Sequence, residues 1–257
     1  MSTGTATGPG PTGFHPAAAA GPAAAEPGGP GAAAAGPSDA TRTGLRRFTG
    51  PRPVAARRCE LCSVEVGDEH RHLVDTEQRV LACACMACAM LFDRAGAGGG
   101  RFRTVPDRYL ADPGWGMEAG GWEALGVPVG VAFFFRNSAL DRMVALYPSP
   151  AGATESEIEP GTWQAVFGGS PLERALLPDV EALLVRRERD HGPAGRGSSC
   201  HLVPVDAAYE LVGRLRLHWQ GFDGGSRAHA ELTAFFDDVA RRARPVPADL
   251  RGGGGQP

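Results

Sequence analysis

Apolar residues change period along the chain, and each period predicts an element. Ala207–Trp219 carries Ala208, Leu211, Val212, Leu215 and Trp219 at i, i+3, i+4, i+7 and i+11, the spacing of a one-faced helix. Asp206 stands where it would N-cap that helix. Arg227–Arg244 repeats the pattern with Ala228, Leu232, Phe235, Phe236, Val239 and Ala243, and its Arg241, Arg242 and Arg244 lie where a helix dipole favours cations. Upstream, the β-rich run Val131–Phe135 and the run Arg142–Tyr147 flank the turn signal Asn137-Ser138, which predicts a hairpin. Cys200–Val205 alternates as a strand, and Leu183-Leu184-Val185 favours a strand within the mixed segment Val180–Arg187. Thr162–Phe167 and Glu173–Leu177 predict short helices, Thr154–Glu159 reads as a polar stretch, and His191–Ser199 reads as a polar loop. Hairpins followed by packed helices predict an α+β domain with an antiparallel sheet over residues 127–245.

A smaller unit precedes it. His72–Val74 and Arg79–Leu81 are strand-like around the turn Asp75–Gln78, and Met86–Asp93 looks helical before the glycines of Gly96–Gly100. Residues 59–100 therefore form a finger, and residues 101–126 read as an irregular connector. Composition sets the ends. Residues 1–40 hold 29 Ala, Gly or Pro and only two charges, Glu26 and Asp39. Such a segment buries too little apolar surface to offset its ordering entropy, so residues 1–44 are expected to be a disordered tail. Residues 246–257 are expected to be a second tail.

Charge is unevenly placed. All 26 basic residues are Arg, and six of them (Arg42, Arg46, Arg47, Arg52, Arg57, Arg58) fall between residues 41 and 58 with no acid. From Cys59 onward 20 Arg face 27 Asp and Glu. The acidic body weighs against nucleic acid as the partner, since a binder normally carries a basic face on its folded part. Residues 45–58 are read as a solvated basic linker. No run of 18 apolar residues exists, and no basic region precedes the Ala runs. The expectation is a cytoplasmic protein with no membrane span.

The chemistry lies in the cysteines. Cys59-x2-Cys62 is followed after twenty residues by Cys83-x-Cys85-x2-Cys88, with Cys200 far away. In a reducing compartment this spacing reads as a metal site rather than a disulfide framework. Each CxxC turn puts two thiolates on one side of a tight loop, and a hairpin between the turns brings four soft ligands together. A knuckle, a hairpin and a helix carrying the last two ligands is the layout of a treble-clef or zinc-ribbon-like finger. The preferred ligands are Cys59, Cys62, Cys85 and Cys88, with Cys83 as an alternative to Cys85. Zn2+ is the expected ion, and Fe or an iron–sulfur cluster uses the same thiolates. The residue after a knuckle's second cysteine often needs a positive φ, yet Ser63 and Ala89 hold those places rather than Gly.

Other constellations are weaker. His70 and His72 could suggest a His-metal nuclease, but the helix after Cys85 offers no further Asn or His. Cys200-His201 with Asp206 is a poor nucleophile set, because neighbours on a strand point to opposite faces. Arg136-Asn137-Ser138 is a candidate anion-binding loop, and Glu155, Glu157 and Glu159 form an acidic run. No catalytic motif stands out, so the expectation is a protein that is not an enzyme.

The stretches LRRFTGPRP, CELC, EHRHLVD, LACACMACAMLFDRAGAGGGRFRTVPDRYL, FFFRNS, YPSPAGATESE, DVEALLV and LVPVDAAYELVGRLRLHW carry a resemblance that covers roughly residues 45–243. Together they resemble an uncharacterised actinobacterial family encoded beside NiFe-hydrogenase genes. The resemblance implies an accessory protein whose partner is a hydrogenase subunit or maturation factor. Two alternatives remain at this stage: a rubredoxin-like or iron–sulfur electron carrier, and a zinc-finger nucleic-acid binder.

Overall fold

The computed structural model describes residues 56–94, 96–149, 152–187, 198–218 and 224–251. The expected tail of residues 1–44, most of the basic linker and most of the loop from His191 lie outside them.

The finger is built on a three-stranded antiparallel sheet. Its strands are β1 (Arg71–Asp75), β2 (Val80–Ala84) and β3 (Phe102–Thr104), in the order β2-β1-β3. The third strand comes from the segment that reads as an irregular connector. Three residues with no apolar alternation give no strand signal of their own, and pairing with β1 makes them one. Helix α1 (Met86–Leu91) follows β2 directly. Side chains alternate across the ribbon. One face buries Leu73, Ala82 and Ala84, of which Leu73 and Ala84 pack with Cys59 and Ala89. The other face presents His72, Val74, Leu81 and Cys83. Val74 and Leu81 pack there with Val105, which follows β3, and against Val180, Val205 and Tyr209 of the larger unit.

The larger unit holds a seven-stranded sheet. Its strands are β4 (Leu110–Ala111), β5 (Val131–Asn137), β6 (Arg142–Ser149), β7 (Gly152–Ile158), β8 (Glu181–Arg187), β9 (Ser198–Pro204) and β10 (Arg244–Pro245). Their order is β10-β4-β9-β8-β5-β6-β7, antiparallel throughout except for the parallel pair β10–β4. Helices cover both faces, which explains why β5 reads as a continuous apolar run rather than an alternation. Phe133 and Phe135 face α5 (Val205–His218) and α6 (Gly225–Arg242). Phe134 faces the opposite layer, where α2 (Gly121–Ala124), α3 (Pro160–Phe167) and α4 (Pro171–Ala175) bring Trp122, Trp163, Phe167 and Leu172. The last turn, α7 (Ala248–Arg251), packs by Leu250 on that same side, within the stretch expected as a tail.

The α+β class, the antiparallel sheet with C-terminal packed helices and the small four-cysteine finger are all as expected. Two local expectations are corrected. The polar stretch Thr154–Glu159 is mostly strand β7, whose residues pair with β6 at the sheet edge. Asp206 is not the N-cap of α5: the helix begins at Val205, and the Asp206 carboxylate turns to the finger instead.

The finger is fastened to the larger unit by side chains as well as by the valine cluster. His72 Nδ1 donates to Asp206 Oδ2 at 2.8 Å. Arg79 donates to both oxygens of Glu155, at 2.8 and 3.0 Å. Arg103 bonds the Pro178 carbonyl at 2.8 Å and Asp179 at 3.1 Å. Among the described residues no helix is long and apolar enough to cross a membrane.

Candidate metal centre

The first knuckle closes through backbone bonds. The Cys59 amide donates to the Val64 carbonyl and the Ser63 amide to the Cys59 carbonyl, both at 2.8 Å. Ser63 takes φ 61°, the left-handed region expected of this position. Ala89 does not, because the second pair is built differently. Cys85 is the N-cap of α1, and Cys88 and Ala89 already lie inside the helix. The Cys85 thiol sulfur accepts the Cys88 amide at 3.4 Å, and the Ala89 amide bonds the Cys85 carbonyl at 2.9 Å. A helix start therefore replaces the second glycine-type turn.

These two turns bring the sulfurs of Cys59, Cys62, Cys85 and Cys88 within 4.8 Å of one another. The Cys62 and Cys85 sulfurs are 3.7 Å apart. Four sulfurs held about 2.3 Å from one zinc ion stand about 3.8 Å apart. The donor set and its spacing thus fit a mononuclear tetrahedral ion. Cys59 is buried, Cys85 and Cys88 are half-buried, and Cys62 is exposed, so the centre lies at the finger's surface.

Electrostatics lead the same way. Burial pushes the Cys59 thiol up, but the amides of Cys85, Cys62 and Leu61 outweigh it and bring it down to about 6. The neighbouring Cys85 and Cys62 side chains, with burial, push Cys88 up to about 12. On Cys62 the Val64 amide acts most strongly and lowers, yet Cys59, burial and Cys85 carry the thiol upward. Without a cation the cluster favours a thiolate at Cys59 and resists ionisation of Cys62 and Cys88. Four thiolates at this spacing need a positive charge among them.

Cys83 is not part of this group. It lies on the opposite face of β2, across the ladder from His72, and its sulfur comes within 4.8 Å of ring nitrogens of His70 and His72. Sequence reasoning weighed those histidines only against the nuclease layout and did not connect them with Cys83. The signal it passed over is the register: the pairing of Asp75 with Val80 across the hairpin turn puts His72 opposite Cys83.

The other candidates are used up within the fold. Ser138 donates through its amide and hydroxyl to Asp179, and Arg136 pairs with Asp141, so the supposed anion loop is filled by the protein's own carboxylates. In the acidic run, Glu155 pairs with Arg79, Glu157 pairs with Arg142, and Glu159 caps α3. Cys200 is buried under the layer of α2–α4, where burial pushes its thiol well up. His201, its neighbour, points to the other face, and Asp206 is engaged by His72. The three form no nucleophilic set. Asp75, at the end of β1, is bound by Arg101 at 2.6 Å and by the Glu77 and Gln78 amides.

No curated protein and no solved structure matches the chain. A family model described as a family of unknown function (DUF5947) matches residues 58–243. That stretch runs from the residue before the first knuckle cysteine to just past α6 and covers most of the chain. The chain belongs to this family of unknown function.

Proposed function

We propose that the protein is a non-catalytic, metal-binding accessory protein in which Cys59, Cys62, Cys85 and Cys88 hold one structural Zn2+. The observation that carries this reading is the meeting of four thiol sulfurs, with a 3.7 Å edge, on two short turns. All four donors come from the protein, which suits a closed structural site rather than one with an open position. When bound, the ion would lock the knuckle onto the start of α1. Reduced thiolates suit the cytoplasm.

A protein partner is supported by the finger's outer surface. Leu61, Val64, Met86, Met90 and Leu91 are all exposed there, and Met90 is 70% accessible. Large apolar side chains gathered on one small unit mark an interaction surface. The assignment of that partner to a NiFe-hydrogenase subunit or maturation factor rests on the family resemblance. Co-purification with a hydrogenase subunit, abolished by Met90→Glu with Leu91→Glu, supports it; equal recovery with the variant overturns it.

The test of the metal reading is metal content and an optical spectrum on anaerobically purified full chain, after dialysis against a mild chelator that clears weak sites. About one zinc per chain, no visible absorption and loss of that zinc in Cys85→Ser are expected. Iron with thiolate charge-transfer bands makes the protein an electron carrier instead. Retained zinc that survives Cys85→Ser removes the four-thiolate assignment.

A further inference from the structure

The finger carries a second set of metal-binding side chains on its other face. One ring nitrogen of His70, one of His72 and the sulfur of Cys83 lie within 4.8 Å of one another. Their backbone positions are fixed independently. His72 and Cys83 are directly paired across the β1–β2 ladder, and His70 immediately precedes β1. The two rings stand 4.6 Å apart at 58° to each other.

The protonation pattern prepares both rings to bind. His72 Nδ1 meets the Asp206 carboxylate at 2.8 Å, and a carboxylate can only accept, so Nδ1 carries the hydrogen. His70 Nδ1 meets the Gly67 carbonyl at 2.9 Å, with the same consequence. In the neutral form of each ring the lone pair is then on Nε2. A carboxylate or carbonyl behind the distal nitrogen is the usual support of a metal-bound histidine, since it fixes the tautomer and raises ligand basicity. His70 Nε2 is buried and has no hydrogen-bond partner within the protein. A buried nitrogen lone pair left unmatched is costly, and it points to a ligand.

We propose that His70, His72 and Cys83 form a second metal site, for a borderline divalent transition ion of the Zn2+ class, with an exchangeable fourth position. Two imidazoles and one thiolate suit such an ion better than Mg2+ or Ca2+, which take oxygen donors. Three protein ligands leave one corner of a tetrahedron for water or a small ligand. The three residues are each half-buried. Asp206, in the first turn of α5, is a positioning residue that joins the site to the larger unit. The site shares no side chain with the four-thiolate centre and does not depend on its occupancy.

The experiment is equilibrium titration of the chelator-dialysed full chain with Zn2+, and with Co2+ as a spectroscopic stand-in. The wild type takes up one further equivalent, and Co2+ gives a thiolate charge-transfer band. His70→Ala weakens that uptake at least tenfold while the metal retained through dialysis stays bound. Cys83→Ser abolishes the band. Asp206→Asn weakens uptake about tenfold to a hundredfold. His70→Gln serves as the second variant, and a thermal melt matching the wild type certifies either one. No further equivalent in the wild type overturns the proposal, as does uptake unchanged in both His70 variants. Failure of the four-thiolate reading looks different, because it alters the retained metal and its dependence on Cys85 while the His70-dependent equivalent persists.

Discussion

Removing the metal from the four-thiolate centre should loosen the knuckle and α1 but leave the finger's sheet in place. The core on that face is small: Leu73, Ala84 and Ala89 are its buried apolar residues beside Cys59. One buried leucine and two buried methyls are worth about 4 kcal/mol, whereas a structural zinc site contributes about 10–16 kcal/mol. The ion therefore outweighs the packing about threefold. Loss of even 3 kcal/mol of that raises local opening more than a hundredfold. The opposite face is held by other means, since Val74 and Leu81 pack on Val105, Val180, Val205 and Tyr209, and Arg79 and Arg103 bind Glu155 and Asp179. Hydrogen exchange with and without a strong chelator reads the difference. The amides of Cys59, Ser63 and Ala89, which close the two turns, should exchange at least 100-fold faster after chelation. Those of the paired residues Leu73, Val74 and Ala82 should change far less. Unchanged protection of the turns after verified metal loss would refute the reasoning.

Three further outcomes follow from the geometry. Glu181 is fully buried and gripped at both oxygens by Arg108, at 2.5 and 2.9 Å, so Arg108→Ala strands a buried carboxylate and should cost about 3–5 kcal/mol in urea unfolding; adding Glu181→Gln should recover much of it. Asp75 is held below the ordinary carboxylate range: burial raises it, but the Arg101 side chain and the Gln78 and Glu77 amides prevail. A depressed folded value stabilises above the unfolded one, so the wild type's melting advantage over Asp75→Asn should be constant near neutral pH and shrink below about pH 4. An advantage that grows on acidification contradicts the assignment. Ser63 sits at φ 61°, where a side chain costs about 1 kcal/mol, so Ser63→Gly should slow metal release to a chelator by several-fold; faster release counts against a strained knuckle.

What the sequence revealed and what it hid divide along physical lines. Cysteine spacing is a local property of two tight turns, so the grouping of Cys59, Cys62, Cys85 and Cys88 was readable. The same holds for α5 and α6, whose apolar faces repeat over several turns. Strand β7 was missed because its middle residues, Thr154 to Glu157, are polar and only partly covered or exposed at a sheet edge. β3, β4 and β10 have two or three residues each and exist only through their partners. Trp115 and Trp122 sat in an apparently irregular segment, yet both are buried against one face of the large sheet. The partnership of His70, His72 and Cys83 needed the hairpin register, and that of His72 with Asp206 needed contact across 134 residues, which no local pattern encodes.

The fastening of the finger also bears on how it would meet another molecule. Guanidinium forks, a histidine–carboxylate bond and a valine cluster join it to a large, doubly covered sheet. A small unit so anchored has little freedom to lose. Its outward apolar side chains, from Leu61 to Leu91, are carried on a stiff mount rather than on a swinging arm. Association through them would forfeit little conformational entropy, so modest contact area could yield useful affinity. Cutting one fork at the joint, far from that surface, would then weaken binding by restoring motion without removing a single contact.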